Sequence, residues 1–231
     1  CDDHVHGEWS ESLSIKPDKK YWVNIVTSCP NGYVEDSEGN VFIYSAEGLA
    51  WLISVCNNLN GAYNNIYGKT IHLINDVDIS EYKWTPISYF EGSINGHGHT
   101  INGLYINEDA DNGPWHVSML GIIYGNVYNT IFQNSHVTGR NASLLCSSIM
   151  GGSIISNCGF NGSVTGLRGT AEGVASYNSG IIHNCYSKVD VSGFLEPMGF
   201  LSRNYGDISN CYSAGHVEYR FGTHCSQFSL E

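Results

Sequence analysis

Three Asn-Cys pairs recur along the chain, Asn157-Cys158, Asn184-Cys185 and Asn210-Cys211, at intervals of 27 and 26 residues, each followed by a short β-prone run. Evenly spaced cysteines are candidate metal ligands, and eight cysteines in one chain raise the alternative of disulfides, with Cys29 and Cys56 the first pair to consider. Zinc sites usually gather ligands from spacings such as Cys-x2-Cys, and this sequence has none. The reading the spacing favours is structural. A cysteine at one fixed position of a repeat becomes a stack of small apolar side chains, and the asparagine before it stacks at a turn that its backbone tolerates. The expected ladder is Cys158, Cys185 and Cys211 with Asn129, Asn157, Asn184 and Asn210. Disulfides between coils remain its alternative.

Other residues invite chemistry and are given none. His97 with His99, and His4 with His6, each place two imidazoles at i and i+2 of an extended segment, which holds a transition metal only weakly without a third ligand. A glycoside hydrolase needs two carboxylates about 5 to 9.5 Å apart. The second half of the chain offers Glu172, Asp190, Glu196, Asp207, Glu218 and Glu231 at dissimilar repeat positions, and Asp76 with Asp78 share one strand face. No Gly-x-Ser-x-Gly, Walker or dinucleotide motif occurs. No catalytic residue, metal or cofactor is therefore assigned. For binding, Tyr186 and Tyr212 follow inward-pointing cysteines by one residue, so they are expected to point outward and stack, open to a sugar ring or a partner's apolar side chain.

The elements that position these residues follow from the period. "GNVYNTIFQNSHVTG", "GSIISNCGFNGSVTG", "GIIHNCYSKVDVSG" and "GDISNCYSAGHV" align on Gly, then Val127, Ile155, Ile182 or Ile208, then Asn. A unit of about 27 residues made only of strands and turns fits one coil of a parallel β-helix. The composition agrees, with 27 Gly, 15 Tyr and only 14% charged residues. "SAEGLAWLISVCNNLN" has a capping Ser45 and apolar residues at i, i+3, i+4 and i+7, which predicts one helix over about 45–59, lying across an open end of the stack. "KYWVNIV" (20–26) reads as a strand.

The expected architecture is all-β: a right-handed single-stranded parallel β-helix with one N-terminal capping α-helix. Residues 1–40 form a tether and strand region, and residues 41–231 the β-helix, with coils over about 115–217 and a C-terminal plug over 218–231. Phe221, Phe228 and Leu230 would close that end, or self-associate through it.

A net charge of −12 argues against nucleic acid as a partner. The sequence begins "CDDHVHGEW", as a mature lipoprotein does, so Cys1 is the expected lipidation site.

The unit "MGFLSRNYGDISNCYSAGHV" resembles the GLUG-type repeat, and "DVDISEYKWTPISYFEGSINGHGHTINGLYI" resembles the lead-in to such repeats in surface lipoproteins of gut Bacteroidetes and in regions flanking IgA-cleaving peptidases. Thr130 stands where the first unit should have Cys, and "LLCSS" replaces a Gly-Leu-Val-Gly. The resemblance implies a parallel β-helix, an extracytoplasmic location at the outer membrane or cell surface, and a non-catalytic adhesin-like role toward a host or bacterial glycan or protein. The alternative function is a carbohydrate-active β-helix enzyme, a polysaccharide lyase or glycoside hydrolase.

Overall fold

The computed structural model describes residues 19–62 and 66–220. Cys1, His4, His6, Phe221, Cys225, Phe228 and Leu230 lie outside the described residues, and with them the lipidation and plug expectations. The chain is 45% strand and forms a parallel β-solenoid of about seven turns with one short helix near the N-terminus.

One column of aliphatic residues shows how the coils stack. Val41, Ile71, Ile94, Val127, Ile155, Ile182 and Ile208 lie in register on successive parallel strands. The first six are fully buried. Each is the inward residue of a short strand whose neighbours point out, so the column is a continuous apolar seam. The intervals are 30, 23, 33, 28, 27 and 26 residues, and only the last three are regular enough to read as a repeat.

The next sheet around the coil carries the longest strands, Ile131–Gly139, Gly159–Gly166 and Tyr186–Gly193, paired in parallel. Phe132 and Phe160 stack inside it with centroids 5.3 Å apart and planes within 6°. Val137, Val164, Val191 and Val217 make a second inner column. Two further sheets, through Asn141–Ser143 and Cys146–Ile149, close each coil.

The helix runs Ala46–Asn57, with Ser45 Oγ accepting from Gly48 N at 3.3 Å and Asn58 ending it in the left-handed region. It is buried on nearly all sides, from Gly48 to Cys56, whereas the sequence pattern implies one apolar face. The reason is a second layer. Trp22 and Val26 are buried against it, Asn60 Nδ2 donates to Val23 O at 2.9 Å, and Gly48 packs on the backbone of Gly32. Residues 20–26, expected as a strand, instead contain a helical turn, Trp22–Ile25. That turn lets Trp22 bury its ring and donate Nε1–H to Ile79 O at 3.0 Å.

All cysteines among the described residues are free, so Cys29 and Cys56 do not pair; Cys29 is exposed and Cys56 is buried in the helix. Among the described residues no helix is long and apolar enough to cross a membrane.

Candidate functional site

The segment that begins at Tyr21 does more than cover the helix. Tyr21 bridges to Lys83, and Trp22 N donates to Lys83 O at 2.9 Å, which docks the segment beside the early coils. Between it and residues 85–89, 108, 114–122 and Ser147 lies a groove of about 560 Å3, within the roughly 300 to 1,000 Å3 of small-ligand sites. Its walls carry Tyr21, Tyr89, Glu108, Asn24, Thr85 and His116. Tyr89 is 53% exposed. Tyr21 Oη donates to Glu108 Oε1 at 3.1 Å, fixing the carboxylate against one wall. The Thr85 hydroxyl is buried and, among the described residues, has no hydrogen-bond partner, which buried polar groups rarely show.

Behind His116 stands a second unsatisfied group. Glu172 is fully buried, and Oε2 is 3.8 Å from His116 Nε2, with neither side chain making a hydrogen bond among the described residues. Sequence spacing missed this pair because His116 belongs to an irregular coil, two coils before Glu172 in the same sheet. Burial, with the Glu172 charge adding to it, pushes the Cys146 thiol well above its usual range and keeps it protonated.

The ladder residues lie elsewhere. Asn129, Asn157, Asn184 and Asn210 each have φ between 52° and 55°, and each of the last three donates Nδ2–H to Oδ1 of the one before, at 3.1, 3.2 and 3.2 Å. The chain of amides extends one coil further, since Asn129 Nδ2 reaches Asn95 Oδ1 at 3.4 Å. Cys158 and Cys185 are buried, while Cys211 on the last coil is partly buried. Each thiol faces the carbonyl two residues earlier, at 3.2, 3.3 and 3.3 Å. Thr130 makes the same contact through Oγ1, to Tyr128 O at 3.0 Å, which explains why threonine substitutes for cysteine there.

Tyr186 and Tyr212 stack with centroids 5.7 Å apart and planes 15° apart, and Tyr212 is 51% exposed. The Tyr186 ring lies over Gly159, in space that a side chain at 159 would take. Tyr177 and Tyr205 form a similar pair at 5.2 Å.

Asp76 and Asp78 serve local turns. Asp76 accepts from Thr100 N at 2.8 Å, the main reason its pKa is lowered, and from His99 Nδ1 at 3.2 Å, while Asp78 caps Ser80 N at 2.9 Å. His97 and His99 do not act together, because His97 pairs with His72 instead. Among the described residues no three His, Cys, Asp or Glu side chains gather as a metal site.

No family model matches the chain, so the GLUG-type resemblance rests on the repeat residues themselves. Among curated proteins it is similar to Halomucin of Haloquadratum walsbyi, 35% identical over 95 residues that cover 41% of this chain and 1% of that protein. It is also 30% identical over 120 residues, 47% of this chain, to a protein of Evansella cellulosilytica provisionally named a Gly-rich membrane protein, of which this covers 13%. The chain thus spans only a small part of the curated relatives it matches. A solved structure from Bacteroides ovatus, provisionally described as an immunoglobulin A1 protease, aligns over 85% of this chain and 82% of that one, with a TM-score of 0.40 and 12% identity.

Proposed function

We propose that the protein is an extracytoplasmic binding module of a cell-surface protein, and that it takes a saccharide in the groove beside Tyr21 and Tyr89. The observation that carries this reading is the composition of the walls. Tyrosine rings beside a carboxylate, an amide and hydroxyls combine a stacking surface for a sugar ring with donors and acceptors for its hydroxyls. The names of the curated relatives, a mucin and a membrane protein, agree with a surface location.

The carbohydrate-active enzyme draws on one observation, the His116–Glu172 pair behind the groove wall. The paired-carboxylate mechanism needs two acids flanking one bond. Glu108 is the one carboxylate among the described groove-lining residues.

A glycan array probed with the wild-type protein and with Tyr89→Ala, Glu108→Gln and Tyr212→Ala tests the proposal. The expected result is a defined set of positives that weaken for the first two variants and persist for the third. Loss with Tyr212→Ala alone would move the site to the tyrosine ladder, and an empty array would end the saccharide reading.

A further inference from the structure

The sheet through Cys146–Ile149 turns one face to solvent, and the order of its side chains can be followed coil by coil. Phe90, Ile123, Ile149 and Asn178 lie in register on successive strands and are fully buried. The residues on either side of each therefore point outward. The preceding positions are Tyr89, Ile122, Ser148, Tyr177 and Arg203, paired in that order. The following positions on the later coils are Tyr124, Met150, Ser179 and Tyr205, whose N–H groups each donate to the carbonyl of the buried residue one coil earlier. On the first coil this position is Glu91, whose charge acts on Cys56 of the helix.

The outer face so formed is aromatic at both ends. Tyr89 and Tyr124 stand at one end, Tyr124 being 50% exposed. At the other, Tyr205 is 71% exposed and stacks on Tyr177. Ser148 lies between Ile122 and Tyr177 and leaves the surface lower there. Three coil steps separate Tyr89 from Tyr177, and three separate Tyr124 from Tyr205, a span of about 14 Å. Tyr89 and Ile122 also line the groove beside Tyr21, so the wall continues that groove along the solenoid axis.

We propose, on the basis of the saccharide reading of the groove, that the ligand is an extended, neutral oligosaccharide chain that leaves the groove at Tyr89 and crosses this wall to a distal subsite at Tyr177, Arg203 and Tyr205. The span exceeds a single sugar ring, so the chain has several units. Tyrosine rings offer stacking faces, while their hydroxyls, the Ser148 hydroxyl and the exposed Arg203 guanidinium meet the hydroxyls of the chain. Beyond Glu91, Arg203 is the one charged residue among these positions, which suits a neutral chain, and the net charge of −12 opposes an acidic one.

The test is a calorimetric titration of cello-, xylo-, manno- and chito-oligosaccharides, each from the disaccharide to the hexasaccharide. The proteins are the wild type, Tyr89→Ala, Tyr205→Ala and, as a control on another sheet, Tyr212→Ala. Tyr205 is largely exposed, so its replacement leaves the core intact. Affinity is expected to rise with chain length. Tyr89→Ala should weaken every length, and Tyr205→Ala only the longer chains, by about two- to tenfold, the worth of one aromatic stacking contact. Equal affinity for short and long chains, or a Tyr205→Ala variant that binds the hexasaccharide as the wild type does, would overturn the distal subsite, while the groove stands as long as Tyr89→Ala still weakens binding. Weakening by Tyr205→Ala without any by Tyr89→Ala would overturn the groove and the extension built on it, as would the absence of binding in every series.

Discussion

Asn157 donates its side-chain amide to Asn129 Oδ1 at 3.1 Å, and both residues hold left-handed backbones, at φ 52° and 54°. One residue type thus meets two demands at the same corner. The amide bonds the coil below, and the short polar side chain tolerates a conformation that costs most residues about 1–2 kcal/mol. At Asn184, substitution by Gly removes only the ladder bonds, at about 1 kcal/mol, while Ala adds the backbone cost for a total of about 2–3 kcal/mol. Urea unfolding of Asn184→Gly and Asn184→Ala should show that order. Equal losses would mean that the backbone conformation contributes nothing.

The buried thiols predict alkaline instability. Burial, with the Glu91 charge adding, pushes the Cys56 pKa up from 9.0 to about 12. The folded chain therefore keeps a proton that the unfolded chain releases. This contribution is fully present below pH 9 and is lost as pH rises toward 12. Melting temperature measured from pH 8 to 11 should fall less steeply for Cys56→Ala than for the wild type, and parallel curves would refute the contribution.

Glu172 and His116 form a buried pair without hydrogen bonds, so removing one partner strands the other. His116→Phe alone should cost roughly 3 kcal/mol, and His116→Phe with Glu172→Met should recover most of that loss. A double-mutant cycle by chemical denaturation measures the coupling. Additive losses would show that the two side chains do not interact.

The regular coils and the groove differ in how far the sequence reveals them. From Val127 onward the spacing between inward aliphatic residues drifts only from 28 to 26, so the glycine, aliphatic and Asn-Cys positions align by eye, and the stacked architecture follows from them. Before Val127 the same column runs at 30, 23 and 33 residues, because those coils are lengthened or shortened between their strands. Tyr21, Tyr89, Glu108 and His116 all belong to that irregular part, so no spacing brings them together on paper. The Trp22–Ile25 turn was illegible for a related reason, since its apolar residues suit a strand until Trp22 finds the Ile79 carbonyl. Helix Ala46–Asn57 was legible from its capping serine and apolar period, whereas its second covering layer was not.

Backbone amide mapping tests the central claim, that a saccharide occupies the groove, most directly. A glycan positive on the array is titrated into the 15N-labelled protein, and the perturbed residues are located. The account predicts a contiguous set around Tyr21, Asn24, Thr85, Tyr89 and His116, with Tyr186, Tyr212 and the asparagine ladder unmoved. Perturbations confined to the coils around Tyr186, Tyr205 and Tyr212 would contradict it.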